Sequence, residues 1–272
     1  QGARYHRQGG QHFNPYTYDD IKTIADHAHY AGNIRDHAWW GRNEPAAVND
    51  TMSAGGGHAH AGAMIYLGDN WPTQYRNTIF MANIHGNRVN NDILKRDGSG
   101  FIASHGHDLL FANDRWFRGI NLKYGPDGSV YLIDWYDPNA CHRNQPEIWD
   151  RTNGRIYRIS YGGVQPQKVD LSALTSVELV GLHQHENDWY VRTARRLLQE
   201  RLSGSKIKFN ARKFDPTDAG DDTLAIHQLS EMSKWDPDPS RRLRALWSLH
   251  AAYPSLASSS VASARNLMAR GP

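Results

Sequence analysis

Cysteine is almost absent from this chain: Cys141 is the one thiol among 272 residues. That excludes an intrachain disulfide, a CxxC zinc pair and a CxxCH haem-attachment motif. Long apolar runs are missing too, so no segment is expected to span a bilayer as a helix. Neither sign of charge dominates: 31 basic residues face 28 acidic ones, a formal +3. No basic run interleaves with aromatics as a strand-binding groove requires, so nucleic acid is not an expected partner. No signal-like stretch opens the chain, which starts at Gln1 rather than Met. Both ends read as cut, and we expect a piece of a longer protein.

What is abundant is aromatic and imidazole. Nine Trp, thirteen Tyr and fifteen His stand among 24 Gly. Hydrophobic residues make up 39%, enough for a packed core rather than wholesale disorder. Tyr and Trp suit sheets and half-wet surfaces, where ring and polar edge are both used.

Residues 1–57 are rich in Gly, His and Asn. Tyr18–Tyr30 reads as a strand leading into a loop, and Gly32–Gly57 as a long ordered insertion. From there, four apolar runs alternate with turn signals: Ala61–Leu67, Thr78–Ile84, Arg88–Leu94 and Gly100–Phe111. Consecutive strands at this spacing predict one antiparallel four-stranded sheet. A second sheet is expected from Gly119–Tyr124, Val130–Trp135 and Gly154–Tyr161. The tetrapeptide Gly125-Pro126-Asp127-Gly128 predicts a tight turn, with Pro presetting φ and Gly accepting positive φ. A repeated sheet of this kind points to blades of a β-propeller.

After Gly162-Gly163 the period changes. Leu179, Leu182, Val191, Ala194, Leu197, Leu198 and Leu202 recur at helical spacing. Further helical blocks are expected at Thr223–Met232, Arg241–Tyr253 and Val261–Met268. The stretch Asn187–Ala194 resembles Asp238–Ala245, about fifty residues on, near the length of a HEAT repeat. The expected fold class is therefore β then α: C-terminal blades of a propeller over 1–165, then a HEAT-like helical section over 166–272.

Several residue clusters invite chemistry. His58 and His60 stand at i and i+2, on one side of a strand, where two imidazoles can hold a metal or an anion. The alternative is hydrogen bonding across a strand start. His85, at a strand end before Gly86, is placed to act as a base near neutral pH, or else caps the turn. Arg115 and Arg118 can grip a carboxylate, or Arg118 can bridge to Asp114 or Asp134. His105 and His107 beside Asp108 read as a surface group, and Cys141-His142 as a buried thiol in a loop. Asp127, Asp134 and Asp137 lack EF-hand spacing and read as turn and loop ties. Trp39-Trp40, Trp116, Trp135 and Trp149 offer either a sugar-stacking platform or packing between blades. Arg192, Arg195, Arg196 and Arg201 form a basic helix face.

Three strings carry a family likeness: WPTQYRNTIFMANIHGNRV (Trp71–Val89), RWFRGINLKYGPDGSVYLIDWYD (Arg115–Asp137) and GRIYRISY (Gly154–Tyr161). In this order they resemble the last blades of glucose/sorbosone dehydrogenase-type β-propellers. The likeness extends to the large propeller–HEAT, PVC-type haem-binding proteins of planctomycete-type bacteria, described as membrane-bound dehydrogenase-like. Roughly residues 18–165 match in motif order. The resemblance implies an oxidoreductase acting on sugars, polyols or related alcohols or aldehydes. It implies a periplasmic or envelope location, and electrons passing to a c-type haem domain outside this chain. It implies PQQ, with calcium, at the propeller mouth. His85 then stands where such enzymes use a lysine, Arg118 takes one place of an Arg-x-Arg pair, and Trp116 takes the other. With the residue clusters above, the expected catalytic pair is His85 and Arg118; the expected cofactor contacts are His58, His60, Arg115 and Trp116, with His58 and His60 as metal ligands. The remaining blades, including the one with that family's catalytic histidine, would lie outside this chain. The alternative reading is a non-catalytic propeller–HEAT scaffold.

Overall fold

The computed structural model describes residues 60–84, 86–98, 100–138, 150, 152–203, 207 and 214–253, with the side chain of His105 left aside. The expected strand at Tyr18–Tyr30, the insertion at 32–57 and the helix at Val261–Met268 lie outside the described residues. So do Trp39-Trp40, His58, His85, Cys141-His142 and Trp149. The chain divides into two units, Gln1–Val164 and Gln165–Pro272. Antiparallel sheets come first and helices follow, with no closed barrel among the described residues.

Eight strands make up the described part of the first unit. They are β1 (His60–Ile65), β2 (Ile79–Asn83), β3 (Arg88–Asp97), β4 (Gly100–His105), β5 (Leu110–Phe111), β6 (Gly119–Tyr124), β7 (Val130–Asp134) and β8 (Arg155–Ile159). The first sheet runs β1-β2-β3-β4 in chain order, and β5 also pairs with β3; the second runs β6-β7-β8. The expected single strand Gly100–Phe111 is broken in two. β4 pairs with the Asp92–Asp97 half of β3, and β5 with Arg88–Val89. The break falls at Gly106, whose N–H donates to the Asn91 carbonyl at 2.8 Å; a Cβ there would come within 3.1 Å of that same oxygen.

The alternation of each strand decides which side is buried. Phe80, Ala82 and Val89 share one face of the first sheet and are fully buried. Leu122, Tyr124, Val130 and Leu132 share one face of the second. These two faces meet: a Cβ on Gly119 would lie 3.1 Å from Leu132 and 3.2 Å from Ala82. Tyr66 pins the contact. Its ring stacks on Phe80; its hydroxyl donates to the Gly128 carbonyl at 2.7 Å and itself accepts from the N–H groups of Asn70 and Trp71. The turn at Gly125–Gly128 has the left-handed Gly128 that its sequence predicts, at φ +69°.

At Gly62 backbone meets backbone. Its φ is +60°, and a Cβ would stand 2.5 Å from Asn121 Cα and 2.8 Å from the Ile120 carbonyl. Gly62→Ala is expected to destabilise by about 1–3 kcal/mol, from strain plus clash. Urea unfolding checks this, and an unchanged midpoint would mean that β1 can slide on β6.

Four helices form the described part of the second unit: α1 (Ser176–Gly181), α2 (Asp188–Leu202), α3 (Asp221–Trp235) and α4 (Pro239–Ala252). Their starts are written locally. Thr175 and Glu178 form a capping box, Asn187 caps α2, and Asp238 caps α4 with Pro239 in its first turn. Helix α1 packs on α2 and α3, α2 on α4, and α3 on α4. Leu179, Ala194, Leu198, Ile226, Leu229 and Leu249 form their shared core. No helix of the described residues is long and apolar enough to cross a membrane.

Candidate functional site

Register places a polar row on the other face of the first sheet. His60 lies opposite Asn83, which lies opposite Arg88; Met81 lies opposite Asn90, and Ile79 opposite Asp92. Asn83, Arg88, Asn90 and Asp92 are all buried. Buried amides and charges are costly unless bonded, so this row is organised rather than incidental. The signal for it stood in the sequence unused: Asn90-Asn91-Asp92 inside a strand, where these types are depleted.

Asn83 is the hub. Its Oδ1 accepts the Gly86 N–H at 2.7 Å, which orients the amide. Its Nδ2 then donates to Asn90 Oδ1 at 2.9 Å and faces His60 Nε2 at 3.3 Å. An amide N–H facing a ring nitrogen requires that nitrogen to be the acceptor. In this contact His60 Nε2 is the acceptor, the role it has in the tautomer with the proton on Nδ1.

Arg88 starts β3 and pairs with Asp108, just past β4, at 3.0 Å; their side chains are 5% and 3% exposed. The group His105-Gly106-His107-Asp108, read as surface, thus supplies one buried carboxylate, while His107 is exposed. Asp127 and Asp134 do tie turns. Asp127 accepts from Ser129 N–H and Arg158; burial pushes its carboxyl up, and those hydrogen bonds bring it below the usual range. Asp134 accepts the N–H groups of Arg118 and Tyr136.

Arg118 is buried just before β6. Its Nη1 donates to the carbonyls of Ile84 at 3.2 Å and Phe117 at 2.8 Å, and its Nη2 to that of Pro138 at 3.2 Å. Burial lowers its pKa, against the pull of Asp137, Asp134 and Asp114. Its guanidinium makes none of the described salt bridges with those carboxylates; it bonds to backbone instead. Arg115 is exposed, and its carbonyl accepts from Asn87. Trp116 packs its ring 5.5 Å from Tyr136, over which Arg155 stacks at 3.5 Å.

The structure thus brings His60 and Arg118 to one end of the two sheets, on either side of Asn83-Ile84. His58 and His85 lie outside the described residues. Among the described residues, no three His, Cys, Asp or Glu side chains gather as a metal site. A quinone held by basic side chains needs converging cations with open donors. The terminal nitrogens of Arg118 face three carbonyls while its buried Nε has no partner, and Arg88 faces Asp108, so neither turns a fully open fork to a ligand.

The comparisons with known proteins add a family. A family model described as a domain of unknown function (DUF7133) matches residues 11–163, more than half of the chain. The chain belongs to the DUF7133 family. No curated protein and no solved structure gives a significant match. In this DUF7133 chain the family match covers the polar row, the Arg118 cage and both sheets, and stops before the helices.

Proposed function

We propose that this DUF7133 chain is the C-terminal part of a β-propeller followed by HEAT-like repeats. In this reading it serves as a non-catalytic scaffold in a periplasmic or envelope assembly. The propeller reading is supported by consecutive antiparallel strands in each sheet and by the face-to-face packing of the two sheets. It is supported too by Ile133 and Ile156, opposite each other and exposed on the far side of the second sheet, as a surface awaiting a further sheet would be. The HEAT reading rests on helix pairs that stack α1 on α3 and α2 on α4.

One observation carries the non-catalytic reading: both terminal nitrogens of Arg118 are committed to the carbonyls of Ile84, Phe117 and Pro138, which leaves only its buried Nε without a partner. A group that ties three loop segments together is a staple, not a hand open to substrate. The second reading is a sugar, polyol or aldehyde dehydrogenase using PQQ and calcium and feeding a c-type haem elsewhere. The buried polar row at the same end and the unpartnered buried Nε of Arg118 favour it.

Thermal unfolding of the chain and of Arg118→Lys, with and without PQQ plus calcium, separates the two. A lysine cannot reach three carbonyls, so the variant is expected to melt lower, and neither protein's midpoint should respond to the cofactor. A cofactor-induced rise in the parent that Arg118→Lys abolishes would overturn the scaffold reading, because a ligand that binds only the native state must raise its stability.

A further inference from the structure

Helices α2 and α4 can be aligned from their caps, Asn187 and Asp238. Counted from there, the inward positions agree. Ala194 matches Ala245 and Leu198 matches Leu249, all buried. The outward positions do not. On α2 the stripe Asp188, Arg192, Arg196, Glu200 closes two ion pairs, Arg192–Asp188 at 2.7 Å and Arg196–Glu200 at 2.6 Å. On α4 the same stripe reads Pro239, Leu243, Trp247, Ala251. Leu243 is 39% and Trp247 52% exposed. The fold does not require apolar groups there, because its twin helix carries charges in those places.

We propose that this stripe of α4, with the flank of α2 beside it, docks an acidic amphipathic helix of a partner protein. Leu243 and Trp247 stand one turn apart, the spacing that receives apolar anchors from a helix. The indole is braced: Arg195 of α2 lies over its ring at 5.3 Å and donates to Ser248 at 3.2 Å. Trp and Arg are the side chains that most often dominate binding energy at interfaces. The sign of the partner follows from charge. Helix α4 holds Arg241, Arg242 and Arg244 and no carboxylate. Helix α2 adds Arg192, Arg195, Arg196 and Arg201 against Asp188 and Glu200. Arg195 touches the stripe at Trp247, and even with Asp238 paired to Arg241, Asp188 to Arg192 and Arg244, and Glu200 to Arg196, arginines outnumber carboxylates on the two helices, so carboxylates flanking the partner's anchors would be steered and held. The inference gives the scaffold reading its partner class; because the helical unit alone carries it, its failure leaves the Arg118 experiment untouched.

The probe is a synthetic helical peptide with Leu on one stripe and Glu on both flanks, titrated into the whole chain by calorimetry and indole emission. A second peptide replaces every Glu with Lys. The variant Leu243→Arg/Trp247→Arg copies the residues α2 carries at those positions and so keeps the fold; Leu243→Gln serves if it does not. The acidic peptide is expected to bind, less tightly at high salt, and to lose about tenfold or more in affinity to the double variant. The Lys peptide should not bind. Equal binding of both peptides, no binding of the acidic one, affinity untouched by the substitutions, or tighter binding of a single-stranded oligonucleotide would each overturn the proposal.

Discussion

Acidifying the protein from pH 7 to pH 4 is expected to remove about 3 kcal/mol of stability from the helical unit through one imidazole. His183 is fully buried between the end of α1 and α4. Its Nδ1 faces the carbonyls of Leu179 and Val180 at 3.2 and 3.1 Å, so that nitrogen carries the proton. Its Nε2 accepts from the Ser248 hydroxyl at 2.6 Å, which in turn accepts from Arg195. A second proton, on Nε2, would have to turn the Ser248 hydroxyl into an acceptor for two cations, His183 and Arg195. Burial is the main cause that lowers the pKa to about 4, and Arg195 and Arg244 add to it. The folded value lies below the unfolded one near 6.5. The unfolded chain therefore takes up the proton first as pH falls. Stability is full above about 6.5, is lost on the way down, and the loss levels off below about 4. Urea unfolding at several pH values, with hydrogen exchange read at Leu197–Leu202, measures the slope. The same slope in His183→Gln would sink the assignment.

The second large effect belongs to the first unit. Arg88→Met or Asp108→Asn alone is expected to cost about 3–5 kcal/mol, because each leaves a buried charge without its counter-charge. The pair is 3.0 Å apart and almost dry on both sides. It joins the start of β3 to the segment between β4 and β5, so its loss frees the break as well. The double variant Arg88→Met/Asp108→Leu should recover most of the stability, since a well-packed apolar pair often equals a buried ion pair. A double-mutant cycle by urea unfolding tests this. Additive losses would show that the two side chains act independently.

Much of the candidate site was hidden in the sequence for a physical reason. From sequence, Arg118 suits a grip on a carboxylate or a bridge to Asp114 or Asp134 equally well. Whether a guanidinium meets carboxylate or carbonyl depends on which loops lie within its reach, and Ile84 is 34 residues away. His60 was legible as a strand-start histidine, but its tautomer depends on Asn83 across the ladder. Asp108 looked solvated because its neighbours are histidines and glycine; its partner lies 20 residues earlier.

The sequence by itself determined what neighbours determine. Turn chemistry at Gly125–Gly128, alternation in β2 and β7, the caps Asn187 and Asp238, and the order of sheets before helices all follow from dihedral preference and periodicity within a few residues. Only the tertiary structure decided which polar groups are buried, and against what. Asn83 with Asn90, Arg88 with Asp108, and His183 with Ser248, 65 residues on, are joined by strand register and helix stacking. Those pairings are set by how whole faces fit together, and no local stretch of chain contains that information.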